Sequence, residues 1–299
     1  MAKETWIEVA LNGPWGRSRQ PNMPIAVEEI VAEGVAAARA GAGIVHFHAY
    51  DVNTGLQQDD WQIYAGIIEG IRSKVDAIAY PTMPLAGSAL TGEARTPRER
   101  YVHVDELGKR GLMEWATVDP GSVNFTRFDA DESGEPSFIY LNPEEHVREG
   151  MRVCVEHGIR PSFAIYEPGF ARLGEALAKK YPGVKRPVYR WMFSDEFAWG
   201  FPPKSYGLEA YLALLADLSP RLPWMIAGLG VDVTPLVPET LARGGHVRVG
   251  LEDAHFHLDR TNAELLAELV AMLDRAGHCP ASPASIRQQL DMIDKDLLT

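Results

Sequence analysis

The chain has 299 residues, 46% of them hydrophobic and 23% charged, with 29 basic against 41 acidic residues and a net charge of −12. This is a globular composition, and the acidic balance excludes a broad nucleic-acid or anionic-membrane surface, because both need a basic face. The N-terminus Met1-Ala-Lys-Glu-Thr5 is too polar for a signal peptide and no apolar stretch approaches the ~20 residues of a membrane span, so a soluble cytoplasmic protein is expected.

Short apolar runs alternate with amphipathic ones from end to end. The pattern predicts strands near 5–11, 43–48, 76–81, 112–118, 160–165, 187–193, 223–228 and 246–250. It predicts helices near 25–40, 58–74, 97–109, 143–157, 169–179, 205–217, 234–243 and 261–276. Asn142-Pro143-Glu-Glu opens one helix, and Thr261-Asn262 caps the last. Eight strand–helix pairs in a chain of this length imply an α/β fold of the (β/α)₈ TIM-barrel type. The expectation is one barrel domain over residues 1–299 with a C-terminal extension. An open doubly wound sheet is disfavoured, since no Gly-x-Gly-x-x-Gly follows the first strand. Two long connections, 82–96 and 119–142, fall where barrel active sites form.

Two segments carry the chemistry. His46-Phe-His48 ends the apolar run Ala42-Gly-Ile-Val-His46, and alternation along a strand points both imidazoles to one face. Two imidazoles at a strand end can share a divalent metal, or they can be hydrogen-bonded rim residues. The third ligand would come from Arg248-Val-Gly-Leu-Glu252-Asp253 at the end of the last strand. Arg248 and Glu252 share a face if that run is extended. Either they form an internal ion pair, or Glu252 completes a two-His, one-carboxylate site with an open position. In the second case Asp253 is free to act as a base and Arg248 to bind an anion or orient a carboxylate. Strand one alone separates strands two and eight around a barrel, so their ends can converge.

These residues resemble the beta-keto acid cleavage enzyme family. The resemblance spans nearly the whole chain: Pro21-Asn-Met-Pro24, the run ending in His46-Phe-His48, Glu114-Trp-Ala-Thr117-Val-Asp-Pro-Gly121-Ser-Val-Asn-Phe125, Gly244-Gly-His-Val-Arg-Val-Gly-Leu-Glu-Asp253, and Thr261-Asn-Ala-Glu-Leu265. It implies a barrel with Zn²⁺ on His46, His48 and Glu252, and catalytic roles for Arg248, Asp253 and Thr82. It places substrate contacts at Thr117, Asn12 and Tyr50. It also implies acetyl-CoA as co-substrate and a homo-oligomer, tetramer or dimer. The family reaction converts a β-keto acid and acetyl-CoA into acetoacetate and a new acyl-CoA. Zinc can act as a Lewis acid, Asp253 can take the α-proton, and Arg248 can offset developing charge. An apolar C-terminal region, Leu290 to Leu298, adds to the oligomer expectation.

The chain departs from the family pattern around the pocket. Tyr50 precedes Asp51 where an Arg is usual, and the first loop reads Asn12-Gly-Pro-Trp-Gly-Arg17. The fifth strand reads Pro161-Ser-Phe-Ala-Ile-Tyr166 without its usual acids, and Thr82-Met-Pro-Leu85 replaces a Gly-rich loop. Acids are therefore missing at Pro14, Ser162 and Ala164, which points to a β-keto acid without a cationic terminus. His255-Phe-His257 reads as a loop contact. Arg190, inside strand six, either binds a carboxylate or pairs with Glu114. Trp15, Trp191 and Trp199 are pocket or core residues. Cys154 and Cys279 form no Cys-x-x-Cys pair and read as free thiols. A metal-dependent barrel hydrolase is the rival enzyme reading, disfavoured because strands five and six hold no histidine. An inactive relative that keeps the fold and metal is the third.

Overall fold

A computed structural model describes residues 2–84, 95–129 and 137–296. Its main sheet is built of β1 (Ile7–Ala10), β2 (Ile44–Phe47), β3 (Ile78–Pro81), β4 (Trp115–Thr117), β5 (Arg160–Ile165), β6 (Val188–Phe193), β7 (Trp224–Gly228) and β8 (His246–Val249). The helices following them are α1 (Val27–Arg39), α2 (Trp61–Arg72), α3 (Pro97–Lys109), α4 (Glu144–His157), α5 (Pro168–Ala178), α6 (Ser205–Leu218), α7 (Val237–Ala242) and α8 (Asn262–Arg275). The strands are parallel in the order β3-β2-β1-β8-β7-β6-β5-β4. β3 and β4 end that order and lie side by side without a ladder, the Tyr80 and Trp115 rings 5.9 Å apart across the seam. This is the expected (β/α)₈ barrel. Each predicted strand and helix has its counterpart, most boundaries moving by one to three residues; the short α7 is preceded by a 3₁₀ turn at Thr234–Leu236.

Apolar residues on both faces of these strands explain their uninterrupted hydrophobic reading. Outward residues such as Val9, Val45, Val247 and Val249 pack against the helices. At the N-terminal ends, Trp6, Ile44, Ile78, Trp115, Val188 and Met225 form a separate cluster with Ala281, Ile286 and Leu290. The last two belong to α9 (Pro283–Asp296), a helix not anticipated, so α8 is not the last and Thr261 caps the penultimate one. α9 seals the bottom of the barrel. Trp6 Nε1 donates to Gln289 at 2.9 Å, and buried Arg160 pairs with Asp294 at 2.6 Å. A short parallel ribbon, Lys3–Thr5 with His278–Pro280, ties the two ends of the chain together. Leu290 is thus buried within the chain and gives no support to an oligomer; Leu297 and Leu298 lie outside the described residues. Among the described residues no helix is long and apolar enough to cross a membrane.

The C-terminal ends of the strands carry the excursions. Tyr50–Asp51 and Leu56–Gln57 form a small antiparallel ribbon after β2. Val123–Phe125 and Phe138–Tyr140 form another after β4. Residues 85–94 and 130–136 of the two long connections lie outside the described residues.

Candidate active site

β2 aims His46 and His48 into one cavity at the C-terminal mouth, as alternation requires. Glu252 reaches the same point by a route that differs from the expected one. β8 ends at Val249, and the chain turns at Gly250, whose φ is +140°. A Cβ there would lie 2.1 Å from the Ala10 carbonyl oxygen, so glycine is required for the turn. Glu252 therefore sits on a turn, not an extended strand, yet its carboxylate folds back to Arg248 at 2.9 Å. Gly13, with φ +70°, leaves room for the Glu252 side chain, which a Cβ would approach to 2.7 Å.

His46 Nε2 lies 3.5 Å from Glu252 Oε2, and His48 Nε2 lies 3.5 Å from Glu252 Oε1. Ligand atoms ~2.0–2.2 Å from a tetrahedral zinc stand about 3.4 Å apart, so the spacing fits such an ion. His48 Nε2 and Glu252 Oε2 are buried without a hydrogen-bond partner. His48 Nδ1 is 2.8 Å from Gln57 Oε1, while Gln57 Nε2 donates to Asp59 at 2.8 Å. That order assigns the proton to Nδ1 and leaves Nε2 bare, facing Glu252. Burial holds the His46 pKa well below the usual value, so the imidazole is neutral. Burial also acts to raise the Glu252 carboxyl, but Arg248, His46 and His48 outweigh it and hold it well below the carboxylate range. A neutral imidazole and an ionised carboxylate are the forms that ligate a cation.

Arg248 is the hub beneath these groups. Its guanidinium grips Asp253 by Nε at 3.1 and 3.0 Å and by Nη2 at 2.6 Å, and reaches Glu8 at 3.3 Å. Burial pushes the Asp253 carboxyl up to about 6 against the pull of Arg248. Glu8, Asp119, Glu252 and Asp253 meet Arg190 and Arg248 here, and all six side chains are buried. A divalent cation between His46, His48 and Glu252 would offset part of this concentration of carboxylates.

Thr82, Thr117 and Arg248 line the cavity with the three candidate ligands. Three expected residues do not. Asn12 is fully buried; its Oδ1 accepts from the His48 and Gly13 N–H groups, and its Nδ2 donates to the Pro24 and His48 carbonyls. It positions the His48 backbone and is not part of the cavity lining. The Tyr50 hydroxyl donates to the Gly13 carbonyl, which braces the same loop from outside the cavity. Asp253 lies behind the Arg248 guanidinium and faces a second, largely apolar cavity with Val233, Val249, Ala254 and Leu265.

Glu114 pairs with Arg72 and Arg287, which excludes it as the partner of Arg190. Trp15 lines the cavity, whereas Trp191 and Trp199 belong to the core. His255 and His257 are not brought into a metal-holding cluster among the described residues; the backbone of His257 instead donates to Arg19. A second group, Asp105, Glu156 and His157, lies on the outer helices, where Lys109 already neutralises Asp105. Sequence reasoning missed Glu8, Gln57, Asp119 and Tyr140; the aromatic Tyr166 was expected to suit an apolar or neutral polar tail and does line the cavity. Glu8 left a signal, a single acid within the apolar run Trp6-Ile7-Glu8-Val9-Ala10.

The profile of the beta-keto acid cleavage enzyme family matches residues 4–292. A 3-dehydrocarnitine:acetyl-CoA trimethylamine transferase of Rhizobium meliloti (strain 1021) is 24% identical, covering 98% of both chains. A 3-keto-5-aminohexanoate cleavage enzyme of Fusobacterium nucleatum is 27% identical over 92% of this chain and 93% of its own. A 3-oxoadipate:acetyl-CoA acetyltransferase of Cupriavidus necator is 28% identical over 98% and 96%. Among solved structures, apo ObcA superposes with a TM-score of 0.68 at 18% identity, covering 91% of this chain and 66% of that longer one. The 3-dehydroquinate dehydratase of Geobacillus kaustophilus superposes at 0.54 with 9% identity, covering 91% and 92%, which is a likeness of barrel alone. With its profile matched over all but the two ends, the chain belongs to the beta-keto acid cleavage enzyme family.

Proposed function

We propose that this protein converts a β-keto acid and acetyl-CoA into acetoacetate and a new acyl-CoA, with zinc held by His46, His48 and Glu252. The observation that carries the metal is the pair of 3.5 Å separations, with His48 Nε2 and Glu252 Oε2 buried and lacking any hydrogen-bond partner. The family and the acetyl-CoA in its relatives' names support the reaction. When bound, the zinc would supply Lewis acidity toward the keto oxygen of the substrate.

The protein's own groups do the rest. Arg248 offsets the negative charge that develops as Cα loses its proton. Asp253 is the proposed proton acceptor, since a carboxyl pushed up to about 6 is suited to a base near neutral pH. It stands one guanidinium away from the cavity, so it reaches Cα only when Arg248 turns aside; such contacts commonly tighten only once substrate is bound. Among the described residues the Thr82 hydroxyl makes a single 3.4 Å contact, to the Met83 carbonyl, and it lines the cavity with the unpartnered Thr117 hydroxyl, where either can hydrogen-bond a substrate oxygen.

Phe125, Phe138, Tyr140 and Tyr166 supply aromatic lining that suits an apolar or neutral polar tail. Asp119 also lines the cavity, but its oxygens accept from the Tyr140 hydroxyl at 2.6 Å and the Ala164 N–H at 3.0 Å. The relatives' names span cationic, anionic and neutral tails and favour none. The test is isotopically labelled acetyl-CoA with a panel of β-keto acids and zinc-loaded protein. Label in acetoacetate, lost on metal removal, is expected. No acetoacetate from any member would overturn the reading. Asp253→Asn should lower turnover by roughly 10²–10⁴-fold with metal content unchanged; near-normal turnover would exclude Asp253 as the base.

A further inference from the structure

Arg190 projects from β6 into the metal-site cavity and is buried, 2% exposed. Its guanidinium has five N–H donors, yet every polar contact it makes among the described residues is long. The Ser162 carbonyl is 3.5 Å away, Asp119 3.8 Å and Glu8 3.9 Å, and Nε has no partner. The carboxylates nearby are engaged elsewhere. Asp119 takes the Tyr140 hydroxyl and the Ala164 N–H; Glu8 Oε1 takes the Tyr80 hydroxyl at 2.8 Å and Arg248 at 3.3 Å. A buried cation without close acceptors is strongly unfavourable unless a ligand supplies them.

Arg248 differs in this respect. Asp253, Glu252 and Glu8 hold it at 2.6, 2.9 and 3.3 Å, so its donors are already matched. Near Arg190, the Thr117 hydroxyl at the end of β4 is buried, lines the same cavity and also lacks a partner. The ladders pair Thr117 with Ser162 and Ala164 with Arg190, so β5 alone separates the two donors.

We infer that Arg190, with the Thr117 hydroxyl, receives the carboxylate of the substrate and thereby fixes which end of it meets the metal. The inference rests on the β-keto acid reading above. A carboxylate supplies two oxygens for the guanidinium edge and a lone pair for Thr117, which satisfies the donors left open.

The test is calorimetric binding to zinc-loaded protein of acetoacetate and of its neutral isostere acetoacetamide. Wild type should prefer the acid. Arg190→Gln should lose about tenfold or more of that preference, the order expected for a charge-assisted hydrogen bond. Thr117→Val should lose a smaller part with an unchanged or higher melting temperature, because it removes an unsatisfied buried hydroxyl. Arg190→Lys keeps the charge without the fork and should fall between wild type and Gln. It also decides the matter if the Gln variant does not fold. An acid-to-amide ratio equal to wild type in whichever Arg190 variant folds would show a purely structural arginine and overturn the inference. Binding needs no acetyl-CoA, so the two claims separate. Turnover with an unchanged ratio defeats this inference alone; a lost ratio without turnover on any keto acid defeats the reaction alone.

Discussion

Gln57 is the most direct handle on the metal reading, because it touches His48 without being a candidate ligand. Its Oε1 lies 2.8 Å from His48 Nδ1, and its own amide is fixed by Asp59. Gln57→Leu removes the acceptor and frees the imidazole to rotate or change tautomer. A neutral hydrogen bond contributes about 0.5–1.5 kcal/mol net, roughly 2–13-fold in affinity. Loss of outer partners of metal-bound histidines costs roughly 10–100-fold. The two ranges meet near tenfold, so zinc affinity should fall by about that factor. The assay is competition against a chelator of known affinity at neutral pH. Melting of the metal-free protein serves as a control; it should barely move, since Gln57 is only half-buried on a short ribbon. At saturating zinc the same loss appears as about 1.4 kcal/mol of stability. Gln57→Glu keeps an acceptor and should bind at least as tightly as wild type. If the Leu variant binds zinc within about threefold of wild type, then either Gln57 does not orient His48 or His48 is not a ligand.

Three further outcomes are expected. Burial pushes His246 down to about 3, and its Nδ1 accepts the Trp6 N–H at 3.2 Å, so it is neutral when folded. The unfolded chain takes up that proton below about pH 6.5, so this contribution to stability is complete above that pH and is lost as pH falls toward 3. The slope is at most about 1.4 kcal/mol per pH unit; urea unfolding of His246→Gln should show it reduced between pH 6.5 and 5 (roughly one proton's worth), and equal slopes would refute the assignment. Asp294→Ala leaves Arg160, 4% exposed, without its carboxylate and should cost about 2–3 kcal/mol in chemical denaturation, less than a fully buried pair because Asp294 is 24% exposed. Burial pushes the Cys154 thiol up to about 12, whereas Cys279 is half-buried, so a thiol reagent should modify Cys279 far faster in native protein and both residues after unfolding.

What the sequence made legible is what local periodicity encodes. Strand alternation places His46 and His48 together, and apolar runs buried on both faces mark the eight strands without any knowledge of their partners. The path of Glu252 was not legible in that way. Even spacing from Arg248 suggested a shared strand face, but Gly250 turns the chain, and the two groups meet through the turn. The contact between Asp253 and Arg248 was not legible for the same reason, since an extended run would have aimed the two to opposite faces and the turn brings the carboxylate onto the guanidinium. Asp119 owes its role to Tyr140 and Ala164, 21 and 45 residues away, whereas Gln57 is only nine residues from His48 and meets it through the pairing of Tyr50 with Gln57, a ribbon too short to leave a periodic signal. The helix α9 was hidden by composition. Ile286 and Leu290 sit at helical spacing, but polar residues surround them, because only one narrow face covers the barrel floor.

The two ends of the barrel therefore do different work, and their perturbations should separate. At the floor, Trp6 stacks on His246 with ring centroids 4.1 Å apart, and α9 closes over them through Gln289 and Asp294. At the mouth, charges are held in opposition around a cavity, with Asn12 and Gly250 setting the backbone that carries them. Interactions without shared partners add nearly independently. Asp294→Ala should lower stability with zinc affinity unchanged, and Gln57→Leu should lower zinc affinity with metal-free stability unchanged. In the double variant both losses should equal those of the single variants to within about 0.5 kcal/mol. A larger coupling would mean that the floor and the metal site move together, and the rigid eight-stranded wall between them would no longer account for how the ligand atoms are kept in place.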